Sequence, residues 1–506
     1  MNWLDRQITK LAPQWGLRRA QARHMLGAYE ATKPGRNRKM RGEHRGPDTV
    51  QSESGESMRA QARHYDENYD LVTGALDTLV MRVVGPKGIM VEPMVRRKDG
   101  TLHDEFNRQI NDLRNEWAKS PDVTGEYSNA LCEQLACRTW LRDGEVFAQL
   151  VSGTKPGLPM PAGVPFAVEL LEPDFVPYHY FASGAGSPDV VQGIEKNAWR
   201  RPIAYWIYRG HPGDYVQVLP KQSDLKRVSA DNIQHLKFIK RIGQTRGVSI
   251  LHAVITRIED LKDYEESERV AARIAAAAAF YIKKGNPDSY LPPQEGDETD
   301  RTFKVAPGLI FDRLQPGEEV GSIHSNRPSA LLEPFRNAMV RMFAAGTRLS
   351  YSSASKNYDG TYSAQRQELV EQFDHYGTLQ GTFINKYTRP IHEQMLRMAV
   401  MSGRLVVPDD VDQSTLFRAH YQGPAMPWID PDKESKANER NNRAGYQTRS
   451  AIIRSRNENP LEVEEQLQRE RQREGELGLV LTSNAVHELI PQQPEPQQTE
   501  PQDGAE

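Results

Sequence analysis

Residues 342–363 read MFAAGTRLSYSSASKNYDGTYS and connect the end of one predicted helix to the start of the next. After Leu349 the helix-forming residues give way to Ser, Tyr, Asn, Lys and Gly, and the helical pattern AQRQELVEQFDHYG follows at once. Two packed helices need only a few connecting residues. This connection is long for a simple helical hairpin, so it is either slack or a surface that contacts a ligand.

On the N-terminal side, the sequence predicts a mixed α+β region and then a long helix. SMRAQARHYDENYDLVTGALDTLVMRVVG, starting at Ser57, has a helical apolar face and stops at Gly85-Pro86. Runs rich in β-branched and aromatic residues predict strands at EVFAQLVS, FAVELLEPDFV, PIAYWIYRG and IQHLKFIK. A helix about 50 Å long is predicted for roughly Ser249–Lys283, at 1.5 Å per residue.

Further along, residues 285–328 are broken by Gly and Pro and contain predicted strands at TFKVAPGLIFDRL and EEVGSIH. A second helix is predicted at roughly Glu333–Leu349. A third, from Ser363 to Met401, is expected to be interrupted near GTLQGTF and to kink at Arg389-Pro390. The chain then becomes charged and helical, and its last residues are Pro-, Gln- and Glu-rich and predicted to be disordered.

Composition limits the possible functions. The chain has 506 residues, 38% of them hydrophobic, and a formal net charge of −3. A protein that binds DNA over its whole surface is usually basic, so any DNA contact here is expected to be local. Cys132 and Cys137 are too few for a disulfide framework or a zinc site, and we interpret them as reduced core thiols. We find neither a signal peptide nor a membrane-spanning run, and expect a protein made in the cytoplasm.

No pattern of catalytic residues emerges from the sequence. There is no phosphate-binding GxxxxGK[ST] loop and no GxSxG elbow, and HEQML at His392 lacks the second His of a zinc signature. Asp143 and Glu145 could form a carboxylate pair, although a turn followed by a strand explains them as well. We therefore predict that the protein is not an enzyme and uses no cofactor or metal.

An acidic stripe is predicted on the first long helix. Glu259, Asp263 and Glu266 follow each other at i, i+4 and i+7 and so share one helical face. An ordinary solvated face explains such a stripe in most proteins. The alternative is a surface whose negative charge has a function.

Four motifs, in this order, carry a resemblance to a known family. They are RAQARHYDENYDLVTGALDTLVMRVVGPKGI, GQTRGVSILHAVITRIEDLKDYEESERVAARIAAA, LLEPFRNAMVRMFAAGTRLSYSSASKNYDGTYSAQRQ and MPWIDPDKESKA, spread over about residues 57–475. Together they resemble the lambda-type portal proteins of tailed bacteriophages, the head–tail connectors. The resemblance implies an α+β portal fold with wing, long-helix stem, small β-containing clip, kinked channel helix and helical crown, assembled as a ring.

The resemblance also implies an organisation along the chain. The expected parts are a basic N-terminal arm (1–56), an α+β wing (57–247), a first stem helix (248–284), a clip (285–328), a second stem helix (329–349), a tunnel loop (350–363), a kinked helix with a wing return (364–430), a crown (431–480) and a disordered tail (481–506). The wing would pack against neighbouring copies and the capsid, and the crown would face the capsid interior.

In function, the resemblance implies a ring of about twelve copies at one capsid vertex, through which double-stranded DNA is packaged and ejected. The partners so implied are the large terminase, the head–tail adaptor and the major capsid protein, with no membrane. The tunnel loop would line the narrowest part of the channel with weak, sequence-independent contacts to phosphate. Its implied channel residues are Ser350, Tyr351, Ser352, Ser353, Ser355, Lys356, Asn357, Tyr358, Gly360 and Tyr362.

In a ring, the acidic stripe of Glu259, Asp263 and Glu266 would be repeated around the channel and would repel phosphate. Two alternatives remain from the sequence, a non-portal DNA-binding protein and a head-processing enzyme of a phage. The near-neutral charge disfavours the first, and the lack of clustered carboxylates disfavours the second.

Overall fold

The computed structural model describes residues 14–15, 44–184, 187–214, 224–276, 280–284, 318–322, 332–426 and 430–478. Helices and strands alternate over this part of the chain, which confirms a mixed α and β protein. The α-helices are α1 (Pro47–Asn68), α2 (Asp70–Val83), α3 (Asp104–Trp117), α4 (Asn129–Asp143), α5 (Ile255–Ala276), α6 (Leu332–Thr347), α7 (Tyr351–Ser355), α8 (Tyr362–Phe383), α9 (Arg389–Met401), α10 (Pro431–Arg443), α11 (Arg449–Ser455) and α12 (Pro460–Leu477).

Most of the strands lie between α4 and α5. The strands are β1 (Met90–Pro93), β2 (Glu145–Ser152), β3 (Phe166–Leu171), β4 (Ala182–Gly184), β5 (Ser187–Val191), β6 (Ile194–Lys196), β7 (Pro202–Tyr208), β8 (Leu225–Ser229), β9 (Ile233–Lys237), β10 (Phe280–Lys284), β11 (Glu318–Ser322) and β12 (Ala419–Gln422). They form a three-stranded sheet in the order β3-β2-β9 and a five-stranded sheet in the order β4-β5-β6-β7-β8. All ladders within these two sheets are antiparallel.

The first predicted helix is in fact two helices and begins earlier than expected. It starts at Pro47 rather than Ser57, because a proline is favoured in the first turn, and it breaks at Tyr69, whose backbone is extended. The predicted apolar face of α2 is buried, and Gly85 ends the helix with a positive φ of 82°. The predicted stop at Gly85-Pro86 is therefore confirmed.

Helix α4 and strand β2 follow the sequence pattern closely. The Ser128 hydroxyl caps α4 by accepting from the Leu131 N–H, and Gly144 ends it with a φ of 93°. Strand β2 lies in the centre of its sheet, and β2 has the predicted bounds. The main core extends from α2 and α4 through β2 to α8 and α9.

The long helix is shorter than predicted. A 3₁₀ turn at Ile250–Ala253 precedes α5, which ends at Ala276. The prediction that the helix continues to Lys283 is wrong, because Phe280–Lys284 form a strand that pairs antiparallel with Glu318–Ser322. The predicted strand at EEVGSIH is confirmed, whereas the one at residues 302–314 lies outside the described residues.

The third predicted helix is continuous where the sequence suggested its first break. Helix α8 runs regularly through GTLQGTF to Phe383. A π-helical turn, Ile384–Thr388, then connects it to α9 just before Pro390. Because proline has no N–H to donate, a wider π turn is a natural way to continue a helix past it.

After α9, the described part of the chain forms one strand, β12, and then the three helices α10 to α12. Strand β12 pairs with β1 in an antiparallel two-stranded sheet. Helices α10 to α12 confirm the predicted charged helical end, and Asp430 caps α10 by accepting from the Lys433 N–H. Residues 427–429, most of the basic arm and the C-terminal tail lie outside the described residues. Within the described part, no helix is both long and apolar enough to cross a membrane.

Both cysteines are buried and unpaired. Burial raises the pKa of the Cys132 thiol to about 12, so this side chain stays protonated at neutral pH. The interpretation of the two residues as core thiols is confirmed.

Candidate functional site

The polar stretch from Ser350 to Ser363, called the connecting segment below, has two different halves. Its first half is the short helix α7, which begins after Ser350 because the Ser350 hydroxyl accepts from the Ser353 N–H. The Ser352 hydroxyl donates to Glu368 Oε2 at 2.7 Å. The Ser355 hydroxyl donates to the Tyr351 carbonyl at 2.7 Å. These hydroxyls already have partners within the chain, so this half is packed rather than free.

The second half, called the exposed tip below, runs from Lys356 to Thr361, and all of its residues are exposed. It begins at Lys356, which has a positive φ of 56° and whose ammonium lies 3.4 Å from the Thr78 hydroxyl. Tyr358 is 60% exposed. Asn357 and Gly360 are exposed as well, while the side chain of Tyr362, the first residue of α8, is not among those described.

Helix α6, which leads into this segment, forms an antiparallel hairpin with α5. Phe335 of α6 packs on Tyr264 of α5 with ring centroids 4.7 Å apart, and Arg336 donates to Glu265 Oε1 at 2.8 Å. At the base of the hairpin, a Cβ added to Gly346 would lie 2.3 Å from Val254 Cγ1. Only a glycine permits this close approach, so α6 is held tightly against the residue that precedes α5.

Glu259, Asp263 and Glu266, the acidic stripe, are all exposed on α5. Burial raises the pKa of Tyr65 on α1, and the charges of Glu259 and Asp263 raise it further. Part of the acidic stripe therefore faces the first helices of the same chain.

Sequence reasoning missed a buried polar network between the three-stranded sheet and the turn before α5. Glu145 accepts from Arg246 Nε at 2.7 Å and from the Gly247 N–H at 2.8 Å, and its other close partner is His235 Nε2 at 2.9 Å. All of Arg246 is buried, with its guanidinium carbon 4.0 Å from the centre of the Tyr178 ring. Buried charges in proteins persist when they are paired in this way.

Within this network the Glu145 carboxyl is ionised at neutral pH, whereas the His235 imidazole is neutral. Burial raises the pKa of the Glu145 carboxyl, but the Arg246 charge and the His235 hydrogen bond outweigh it, so the pKa is well below its usual range. Burial lowers the pKa of His235 to about 4. At neutral pH the network is an ion pair plus a neutral imidazole. The sequence marks one member of the network, at the Arg246-Gly247-Val248 turn, but gives no sign of its partners.

Asp143 and Glu145 do not form a joint carboxylate site. The side chain of Asp143 is fully buried and pairs with Arg63 at 2.6 Å and with Arg142 at 2.7 Å, while Glu145 belongs to the Arg246 network. The interpretation that a turn and a strand explain these residues is the better one.

A nearby group of carboxylates has the spacing of metal ligands but is also an ion-pair network. Glu172, Asp174 and His211 bring one ligand atom each within 4.8 Å of one another. Asp174 already pairs with Arg59 at 3.0 Å and with Arg63 at 2.6 Å. Because arginine charges neutralise these carboxylates, we assign the group to the stability of the fold.

The chain can now be compared with known proteins. The model of the phage portal proteins of the lambda family matches residues 33–380. A probable portal protein of Halomonas phage phiHAP-1 is 25% identical over 454 residues, which cover 86% of this chain and 85% of that protein.

Among solved structures, the neck of a native gene transfer agent particle computed with C12 symmetry is similar at 12% identity, with a TM-score of 0.41, over 79% of this chain and 92% of that one. An HK97-family portal protein from Corynebacterium diphtheriae is similar at 15% identity, with a TM-score of 0.29, over 62% of this chain and 84% of that one.

The family match, from residue 33 to residue 380, spans well over half of the sequence and includes the connecting segment and most of α8. The chain belongs to the lambda family of phage portal proteins. Proteins of this family are structural rather than catalytic, in agreement with the prediction from the sequence.

Proposed function

We propose that the protein forms a ring, of about twelve copies, at one capsid vertex, and that DNA passes through the centre of the ring during packaging and ejection. Family membership supports the portal role. The observation that carries the ring is the uncovered surface of the stem hairpin, described next.

The stem hairpin has too little core of its own. Ala338 and Ala345 lie on one face of α6 and are exposed. Phe335 and Met342 share this face; although they touch Tyr264 and Arg257 of α5, they stay 43% and 49% exposed. On α5, no apolar side chain from Lys262 to Arg273 is buried. A pair of helices gains most of its stability from packing an apolar face, so this face needs a neighbour. In a cyclic ring every copy offers the same face to the next copy.

Assembly in solution tests this proposal. Met342→Asp places a charge in the uncovered face, where Met342 is 49% exposed in the single chain. We expect purified wild-type protein to form rings by light scattering and negative-stain imaging, and Met342→Asp to shift the mass towards single chains. Met160→Asp is the matched control, because Met160 is 45% exposed in a loop between β2 and β3. Equal ring formation by both variants would refute the interface.

Within the ring, we assign the DNA contact to the exposed tip. Lys356 supplies a positive charge, balanced within the exposed tip by Asp359, and Asn357 and Tyr358 supply exchangeable hydrogen bonds. Such contacts are weak and independent of sequence, as passage of DNA requires. Ser352 and Ser355 of α7 support the exposed tip, since their hydroxyls are occupied within the chain.

The acidic stripe complements this role if its face lines the channel, because a negative wall limits sticking of phosphate. Replacing all three of its residues by lysine should slow or arrest packaging in a phage packaging reaction. Lysine at Asp112, Glu126 and Glu464, which are equally exposed acids elsewhere on the described surface, gives the same change of charge. Unchanged packaging by the acidic-stripe variant would remove this role.

We propose that the terminase, and later the head–tail adaptor, binds the β10–β11 clip. The wing would contact the capsid shell, and the crown helices α10–α12 would face the capsid interior. The support for these partners is family membership together with the order of the elements along the chain. In this proposal the protein works in the virion and is assembled in the host cytoplasm.

A further inference from the structure

Two turns of the wing form a protruding basic surface, called the basic turn pair below. The first turn, residues 197–201, connects β6 to β7, and the second, residues 239–243, follows β9. The two turns touch, because a Cβ added to Gly243 would lie 3.8 Å from Arg200 Nη1. The surface therefore brings together residues from distant parts of the sequence.

Amide side chains fix both turns in shape. Asn197 Oδ1 accepts from the Trp199 N–H at 3.0 Å and from the Arg201 N–H at 2.9 Å. Gln244 Oε1 accepts from the Lys240 N–H at 3.0 Å and from the Arg241 N–H at 3.3 Å. These amides are used internally, so the side chains that remain free to meet a ligand are the charged and apolar ones.

The cations of the basic turn pair lack acidic partners. Arg200, Arg201, Lys240, Arg241 and neighbouring Arg348 form no ion pair of 4.0 Å or less with any described residue. Lys240 and Arg348 instead lie over the ring of Phe238, each at 5.2 Å from its centroid. Burial lowers the pKa of Lys240, and the charge of Arg348 lowers it further, as expected for crowded like charges. Such a surface attracts an anion.

The tips of both turns are apolar and exposed. Trp199 is 90% exposed and Ile242 is fully exposed. A large aromatic side chain held in water on an ordered turn, beside unpaired cations, is typical of a contact surface.

The basic arm joins the structure at the same place. Arg241 Nη1 donates to the Arg45 carbonyl at 3.1 Å. Residues 33–45, KPGRNRKMRGEHR, carry many cations and a single acidic residue, Glu43. The described end of the arm, at Arg45, therefore lies beside the basic turn pair.

We propose that the basic turn pair is a second DNA site, away from the exposed tip, which binds the phosphate backbone of double-stranded DNA irrespective of sequence. The choice of DNA rests on the proposed function, since packaged DNA is the polyanion that a portal protein meets. Duplex DNA carries one negative charge per about 1.7 Å of its axis. Its phosphates therefore fit closely spaced cations better than the scattered carboxylates of a protein surface do. Trp199 and Ile242 would lie against sugars or in the minor groove.

Fluorescence anisotropy with labelled 30-base-pair duplexes of two unrelated sequences tests the proposal on the full-length protein. The test variant is Arg200→Glu with Lys240→Glu. The control is Lys98→Glu with Lys155→Glu, which makes the same change of charge at exposed wing residues that form no ion pair with a described residue. We expect the test variant to bind both duplexes about tenfold or more weakly, with a salt slope reduced by about 1.8, or 0.9 per lost phosphate contact.

A control variant that binds as weakly as the test variant would overturn the proposal, because net charge alone would then explain the binding. An unchanged test variant would overturn it too. So would a test variant that binds DNA normally but no longer forms rings, since the surface would then bind another copy. The single chain carries the whole surface, so failure of ring formation, which refutes the proposed function, is a separate result from failure of DNA binding.

The fluorescence of Trp199 gives a second measurement, which reports where the DNA binds rather than how tightly it binds. We expect DNA to protect wild-type tryptophan fluorescence from iodide quenching, and the protected fraction to fall in Trp199→Phe. Equal protection in the two proteins would place the DNA elsewhere and refute the site.

Discussion

Removal of Arg246, the buried arginine in the turn before α5, should destabilise the protein more than the loss of any surface ion pair. In Arg246→Met, Glu145 loses a donor at 2.7 Å. The carbonyls of Val176, Gln192 and Pro173 lose donors at 2.9, 3.0 and 3.0 Å. A buried carboxylate left without its cation costs about 3–5 kcal/mol, and the unpaired carbonyls add to this. The free energy of unfolding should fall by at least that amount.

The assay is urea unfolding followed by far-UV circular dichroism, with Arg227→Met as the control. Arg227 also makes a two-point contact with a glutamate, Glu195, at 2.8 and 3.0 Å, but the Arg227 side chain is 49% exposed while that of Glu195 is 8% exposed. Because water reaches the cation, loss of this half-exposed pair should cost less than loss of the fully buried one, about 1–2 kcal/mol. Similar losses in the two variants would refute the reasoning, because burial would then have no effect on the value of the ion pair.

Three further predictions concern other parts of the fold. Gly346→Ala should lower stability by about 1–3 kcal/mol in urea unfolding, because its Cβ would meet Val254 at 2.3 Å. Gly377→Ala in α8, where nothing lies within 4 Å, should instead raise it by about 0.5–1 kcal/mol; losses in both would contradict the steric argument. Burial lowers the pKa of His392 to about 3, so the folded state holds the ring neutral. Stability should be complete above pH 6.5 and fall at up to about 1.4 kcal/mol per pH unit towards pH 3. His392→Leu should unfold with a shallower pH dependence, and an unchanged pH profile would assign the proton uptake to other groups.

Local signals explain why helices and strands such as α4 and β2 could be predicted from the sequence. Ser128 and Gly144 enclose α4, and the alternation that follows gives β2 its bounds. Side-chain caps and positive-φ glycines act within a few residues, so they are visible in a single sequence.

The errors arise where distant residues decide the structure. The alanine-rich end of the long helix is helical by propensity, but Phe280–Lys284 pair with Glu318–Ser322, near the far end of the segment 285–328. No residue near Phe280 shows in the sequence that this pairing will form. Helix α7 was read as a polar loop because serine is a weak helix former. The cap at Ser350 and the bonds from Ser352 to Glu368 stabilise it.

The Glu145–Arg246 network could not be derived from the sequence either. Its members come from β2, β9 and the turn before α5, which lie far apart along the chain. A carboxylate beside a turn looks the same in a sequence whether it faces water or a buried guanidinium, so only the fold distinguishes a solvated residue from a buried ion pair.

In the proposed ring, the packed half of the connecting segment would limit how far the proposed DNA contact can reach. The Glu368 bonds hold α7 against α8, and Tyr362 begins α8, so both ends of the exposed tip are fixed. A chain spans at most about 3.3–3.6 Å per residue, and the exposed tip, from Lys356 to Thr361, must go out and return, so it can project only about 10 Å. In a ring, such short contacts meet the DNA only if the hairpin bases stand close to the duplex. In the proposed ring, the glycine contact at Gly346 and the buried network at Arg246, which fix the base of the α5–α6 hairpin, would therefore also determine where the exposed tip meets the DNA.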